Sequence, residues 1–243
     1  MSNRIDRQPA TITTIKAAQA IAGTLGNPSK MPGRSYGLPA AKALWVPSAC
    51  EEMGIPVPSS YGCPVGGVLA QVKGTTCASC YATRANYRYS NVQRAQARRA
   101  SGVFHPQWAD AMVFLIDARV DPADPYFRWH DSGDILGFWH LDMIAAIARR
   151  TPWVKHWLPT REAHVVAQYL SQRGSFPGNL TVRLSATKID QVPPKAHKLT
   201  STVHSGGKPH YGRECPAPKQ GNECRDCRAC WSRRVANVSY HVH

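Results

Sequence analysis

From residue 126 onward the apolar positions of this chain change period in a regular order. Tyr126–His130 is short and aromatic-rich and predicts a strand. Phe138–Arg150 places Leu141, Ile144, Ala145 and Ala148 at helical spacing. Trp153–Leu158 reads as the next strand, closed by Pro159, and Glu162–Arg173 as the next helix, stopped by Gly174. Asn179–Ala186 alternates Leu180, Val182 and Leu184 with polar residues and predicts a third strand; Ser201–His204 is a candidate fourth. The strands begin at 126, 153 and 179, a step of one βα unit, which predicts parallel strands joined by helical crossovers. His105–Val120 reads as a helix leading into this series. Upstream, Ile12–Ala22 is helical in pattern, whereas Gly23–Pro39 and Pro56–Gly67 are rich in Pro and Gly and are expected to be irregular.

The expected fold class is α/β, a partial TIM-like (βα) barrel with Cys-rich metal-binding segments at both ends, because 243 residues are few for eight full repeats. An open doubly wound sheet is the alternative. The division expected is a helical and irregular segment 1–55, a βα catalytic unit 56–207 and a Cys-rich module 208–243. In either architecture the residues after each strand gather on one face. Those are His130-Asp131-Ser132-Gly133-Asp134, Pro159-Thr160-Arg161, Ser185-Ala186-Thr187 and His204-Ser205-Gly206-Gly207.

Composition adds a compartment and a chemistry. The longest apolar run, Ala111–Ile116, ends at Asp117, so no membrane span is expected. The opening Met-Ser-Asn-Arg-Ile-Asp-Arg-Gln lacks the apolar centre of a secretory signal, so a reducing cytoplasm is expected. There, clustered cysteines read as metal ligands rather than disulfides. All eight lie outside the 134 residues from Tyr81 to Glu214. Cys224, Cys227 and Cys230 recur at every third residue, and Cys215 can complete a four-thiol set. That spacing favours an iron–sulfur cluster, expected as 4Fe-4S, over a structural zinc site. Arg225, Arg228, Arg233 and Arg234 can offset its negative charge. Upstream, Cys63, Cys77 and Cys80 make a three-thiol set that would leave one iron open. Cys50 is read as a small core residue in preference to a fourth ligand.

The formal net charge is +15. Lys73, Arg84, Arg88, Arg94, Arg98 and Arg99 form an acid-free stretch interleaved with Tyr81, Tyr87 and Tyr89, a mixture that can hold phosphates and stack bases or can be a solvated helix face. A nucleic acid or nucleotide is the expected partner. His130, Asp131 and Asp134 surround Ser132-Gly133 and can bind an amino group, move a proton or orient a sugar; the plainer alternative is an Asx-type turn in which Asp134 caps the next helix. Arg161 can clamp a phosphate or carboxylate, or stand exposed in a first helical turn.

Several pieces in order resemble the phage gene product 88 family: Leu38-Pro39-Ala40, Cys77-Ala78-Ser79-Cys80-Tyr81-Ala82, Phe127-Arg128-Trp129-His130-Asp131-Ser132-Gly133-Asp134, Trp157-Leu158-Pro159-Thr160-Arg161 and the Cys-rich run ending in Trp231. The family implies an architecture more than a reaction, and a host-cytoplasmic setting. The pattern is also similar to radical S-adenosylmethionine enzymes. These combine a partial barrel, a three-cysteine cluster with an aromatic residue near its last cysteine, a Gly-Gly-Glu-like motif after the second strand and auxiliary clusters near the C-terminus. That similarity implies Cys63, Cys77 and Cys80 as cluster ligands and Ser132-Gly133-Asp134 as the holder of the cofactor's amino group, while His130, Asp131, Asp134 and Arg161 are the candidate catalytic residues on their own chemistry. Tyr81, Ser132, Gly133, Asp134, Ser185 and Thr187 would bind the cofactor. The spacing Cys-x13-Cys-x2-Cys departs from the usual Cys-x3-Cys-x2-Cys. Asp131-Ser132-Gly133 and Leu158-Pro159-Thr160-Arg161 resemble, in addition, pieces of guanine transglycosylases. Those imply aspartate nucleophile and base and a zinc on three cysteines plus His241 or His243. A metal-stabilised, non-enzymatic nucleic-acid-binding protein is the third reading.

Overall fold

The computed structural model describes residues 11–242; His243 and the first ten residues lie outside it. Its centre is a seven-stranded, wholly parallel sheet in the order β1-β2-β3-β4-β5-β7-β6. The strands are β1 (Arg34–Tyr36), β2 (Tyr126–Trp129), β3 (Lys155–Thr160), β4 (Leu180–Ser185), β5 (Thr200–His204), β6 (Arg213–Glu214) and β7 (Asn237–His241). The helices are α1 (Ile15–Ala22), α2 (Val46–Glu52), α3 (Pro64–Leu69), α4 (Ser90–Gly102), α5 (Trp108–Arg119), α6 (Phe138–Arg150) and α7 (Ala163–Arg173).

The first five strands stand side by side in chain order. Parallel crossovers are right-handed, so a chain that always steps in one direction keeps its helices on one face of the sheet. A doubly wound sheet reverses direction and covers both; that alternative does not describe this chain. Buried side chains of α5, α6 and α7 pack with Phe127 and Trp129 of β2, Leu158 of β3 and Leu180 and Val182 of β4 in one hydrophobic core. The residues between them point the other way. On this second face Tyr126, Trp157, Val238 and Tyr240 pack against Cys215, Cys227, Ala229, Cys230 and Trp231. The Cys-rich segment thus covers the sheet face that the helices leave bare.

Three expectations change. The segment Gly23–Pro39 contains β1, which pairs with β2 from Arg34↔Phe127 to Tyr36↔Trp129. Pro56–Gly67 contains the start of α3, where Pro64 occupies a first-turn position that needs no N–H donor. The expected boundaries at 55 and 207 cut across the sheet, which takes β1 from the first segment and β6 and β7 from the last. The sheet has two edges, β1 and β6.

Candidate active site and thiol centres

The C-terminal ends of the parallel strands open on a cavity of about 380 Å³ on the second face. Three sets of residues meet there: Cys63, Cys77, Cys80 and Tyr81 from the connection between β1 and α4; His130 to Asp134 after β2; and Trp157, Pro159, Arg161 and Ser185 from β3 and β4 or just after them. Thr187 is not among the lining residues; its hydroxyl bonds Gln191 Oε1 at 3.1 Å.

Cys63 and Cys77 are fourteen positions apart in sequence and adjacent in space. A Cβ placed on Gly66 would stand 3.5 Å from Cys63 Sγ, 3.6 Å from Cys77 Sγ and only 2.8 Å from Cys63 Cβ. Glycine there keeps open the space the two sulfurs share. Burial pushes the Cys63 thiol strongly upward, helped by the Asp134 carboxylate, and burial likewise raises Cys77. Unligated, both carry their protons at neutral pH.

The turn after β2 is built into β1. His130 takes a left-handed backbone (φ 55°) while its N–H donates to Tyr36 O at 2.7 Å. Gly133 is also left-handed (φ 79°), and a Cβ on it would meet Leu38 at 2.7–2.9 Å, so only glycine fits. Asp131 accepts from Ser35 Oγ at 2.9 Å and from the Ser132 N–H at 3.0 Å. Asp134 accepts from the backbone N–H of Ile135 at 2.8 Å and of Arg161 at 2.9 Å. It does not cap α6, whose N-cap is Gly137. Both carboxylates therefore shape the turn as well as lining the cavity.

Several buried polar groups of the cavity wall are left without a partner. Seven buried side-chain nitrogen or oxygen atoms among the described residues lack a hydrogen-bond partner, and five of them belong to the cavity-lining residues Arg128, His130, Trp157 and Arg161. Buried polar groups are rarely left unpaired without a functional reason. Arg128 Nε, Trp157 Nε1 and Arg161 Nε can only donate. Burial, with His140 and Arg128 nearby, holds His130 well below the usual histidine range, so it is neutral. Arg161 also donates to Thr76 Oγ1 and is not the exposed first-turn residue of the plainer reading.

The downstream thiols form a second group. Burial, and after it the neighbouring thiols, pushes the Cys215, Cys224 and Cys230 thiols upward, Cys230 to about 12. Cys230 Sγ lies 3.1 Å from the Tyr240 hydroxyl. Arg128 reaches across: it feels Tyr81 and Asp131 on the cavity side and Tyr240 and Cys230 on the other. The loop is fastened from beneath by buried Arg183, which donates to the carbonyls of Cys230, Ala229, Ser232 and Val235 at 2.7–3.0 Å. Cys50 joins neither group; it is fully buried among Ala43, Val46, Ala49 and Ala97.

The basic stretch divides. Lys73, Arg84, Arg88, Arg94 and Arg98 are exposed, with Arg94 3.6 Å from Glu52 and Arg98 against Met53. Arg99 turns inward, donating to Thr24 O at 2.9 Å and Gly37 O at 3.3 Å. Tyr81 and Tyr87 pack edge to face, and the Tyr81 hydroxyl donates to Asp131 O, so Tyr81 reaches over the strand end while its ring stays half exposed.

Sequence reasoning missed Glu162. It is fully buried, accepts from the Val65 N–H in the first turn of α3 at 2.7 Å, and is pushed up to about 7 by burial. Its place directly after Arg161 was the available signal. It also missed His204 and Glu214 as partners of His241. Their ligand atoms lie within 4.8 Å of one another, a closeness that no three thiols share among the described residues.

A family model, Gene product 88, matches residues 10–233. The chain belongs to the Gene product 88 family. The match spans both thiol groups and the cavity-lining residues up to Val203, while Tyr240, His241 and Val242 of the lining lie beyond it. No curated protein and no solved structure matches the chain.

Proposed function

We propose that this chain is a phage-encoded iron–sulfur enzyme of the radical S-adenosylmethionine type that modifies a nucleic acid or nucleotide, built on a partial (βα) barrel. One observation carries the reading: three thiols from the connection after β1, and Ser132-Gly133-Asp134 after β2, line the same cavity. With β1 present, that turn follows the second strand, where the resembling enzymes hold their cofactor's amino group. The long Cys63–Cys77 interval is taken up by α3 and the turn behind it, which return Cys77 to Cys63.

Gly66 supports a cluster here, since it leaves Cys63 Sγ and Cys77 Sγ a shared space that a side chain would fill. Among the described residues Arg128 and Arg183 form no ion pair with a carboxylate, and an anionic thiolate-bound cluster would add countercharge to that which Asp131 offers Arg128. Cys63, Cys77 and Cys80 would hold the cluster, which when bound supplies the electron for reductive cleavage of S-adenosylmethionine. Cys215, Cys224, Cys227 and Cys230 would hold a second, closed one. Arg128, Trp157 and Arg161 offer N–H groups to a carboxylate or phosphate. Asp134, Ser132 and Ser185 shape the wall, and neutral His130 is available to accept a proton. Exposed Lys73, Arg84 and Arg88 suit a polyanion.

Anaerobic reconstitution tests this. About eight irons per chain, and release of 5′-deoxyadenosine from S-adenosylmethionine under reduction, are expected. Zinc alone with no chromophore, or intact S-adenosylmethionine in a reconstituted sample, would overturn it. The base-exchange reading needs Asp131 as a free nucleophile, whereas its carboxylate is engaged by Ser35 and Ser132.

A further inference from the structure

Away from the cavity floor, three strands bring two imidazoles and a carboxylate together. His204 ends β5, Glu214 ends β6 and His241 ends β7. In the register of the sheet His204 stands beside His241 and Glu214 beside Ser239, so all four side chains share one face. His241 Nε2 is 2.6 Å from Glu214 Oε1, and His204 Nε2 is 3.8 Å from the same oxygen. Donors around a metal at ~2.0–2.2 Å stand roughly 3.0–3.6 Å apart, so small side-chain shifts would close this set on one ion.

The surroundings orient the set. His204 Nδ1 meets Ser239 Oγ at 2.8 Å, which leaves Nε2 to face Glu214 and His241. Ser239 Oγ also accepts from Thr202 Oγ1 at 3.1 Å, fixing the hydroxyl in turn. Lys219 Nζ holds the other oxygen of Glu214 at 2.9 Å. A ring nitrogen fixed by a hydroxyl, with the opposite nitrogen presented to a carboxylate and a second imidazole, is the outer-shell pattern of histidine metal sites.

We infer that His204, Glu214 and His241 form a third metal site, distinct from both thiol groups, that takes a divalent first-row transition-metal ion with open positions for water or substrate. Two imidazoles and one carboxylate suit zinc, cobalt(II) or iron(II) rather than magnesium or calcium. His241 also lines the cavity, so the ion would stand at its border.

Cobalt(II) binding to the full chain tests the site, because thiolate-bound cobalt shows sulfur-to-metal charge-transfer absorption and nitrogen/oxygen-bound cobalt does not. The expected result is one cobalt equivalent without that absorption, lost in His204→Ala, Glu214→Gln and His241→Ala, with the thiol-bound signal retained. His210→Ala, on the neighbouring loop, should keep all cobalt. Equal cobalt content and identical spectra in the wild type and the three variants, each folded by circular dichroism, would overturn the inference. If a variant fails to fold, histidine ring nitrogen shifts of the wild type during zinc titration decide it: His204 and His241 must move together at one equivalent, and unmoved rings refute the site.

Discussion

The two thiol groups share a sheet face and differ in how they are held. Cys63, Cys77 and Cys80 ride on a connection held mainly through its backbone, by Cys63 N–H to Ala41 O at 2.8 Å, Val65 N–H to Glu162 at 2.7 Å, Thr76 N–H to Thr187 O at 3.2 Å and Ile189 N–H to Gly74 O at 3.0 Å. They open directly on the cavity. Cys215, Cys224, Cys227 and Cys230 sit in a loop locked by Arg183, by Trp231 Nε1 to Phe127 O at 3.0 Å and by Thr181 Oγ1 to Trp231 O at 2.8 Å. A loop gripped by a buried side chain resists opening, whereas groups that line an open cavity are within a ligand's reach. On the proposed reading, exchange and chemistry would fall to the upstream group and a supporting role to the downstream one.

The largest expected effect strikes the fixed group. Arg183→Met would leave four loop carbonyls buried without their donor, and a loss of about 3–5 kcal/mol is expected in chemical denaturation. The downstream metal should be lost first. A loss below about 1 kcal/mol would dissolve the contrast.

Glu162→Gln probes the upstream group through pH. The carboxyl ionises near 4.5 ordinarily and about 7 here, so the folded chain holds its proton more tightly. That contribution is full below pH 4.5 and is lost as pH rises through 7. The variant, still able to accept from Val65, should remove up to about 3 kcal/mol of this decline. Its stability profile from pH 4 to 8 is expected to be flatter than that of the wild type; parallel profiles would refute the assignment.

Gly66→Ala should cost about 1–3 kcal/mol by overpacking, because its Cβ would stand 2.8 Å from Cys63 Cβ. Iron analysis with electron paramagnetic resonance should show upstream occupancy reduced and the downstream signal intact. The smallest effect is expected of Cys50→Ala, about 1 kcal/mol or less, with unchanged iron per chain. A drop in iron there would place Cys50 with the ligands.

Much of the frame was legible in the residues. The period-3.6 pattern places α6 at Phe138–Arg150 in sequence and in space, and the alternation of Leu180, Val182 and Leu184 marks β4 within a residue at each end. The cavity wall was legible too, as residues following strands. β1 was not, since three residues are too few to show alternation, and β7, Asn-Val-Ser-Tyr-His, carries polar residues on the face that bonds Thr200, Thr202 and His204.

Local pattern and spacing by themselves determined the central strands and helices, their parallel order and the grouping of seven cysteines into an upstream and a downstream set. These depend on residues near one another in the chain. Only the tertiary structure decided that the turn at His130–Asp134 follows the second strand, that the Cys-rich segment covers the second face, that Asp131 and Asp134 are tied to backbone and Ser35, and that His204, Glu214 and His241 meet. Those facts rest on strand register and on contacts between distant segments. No local periodicity encodes them, because each is fixed only when the whole sheet closes its backbone hydrogen bonds at once.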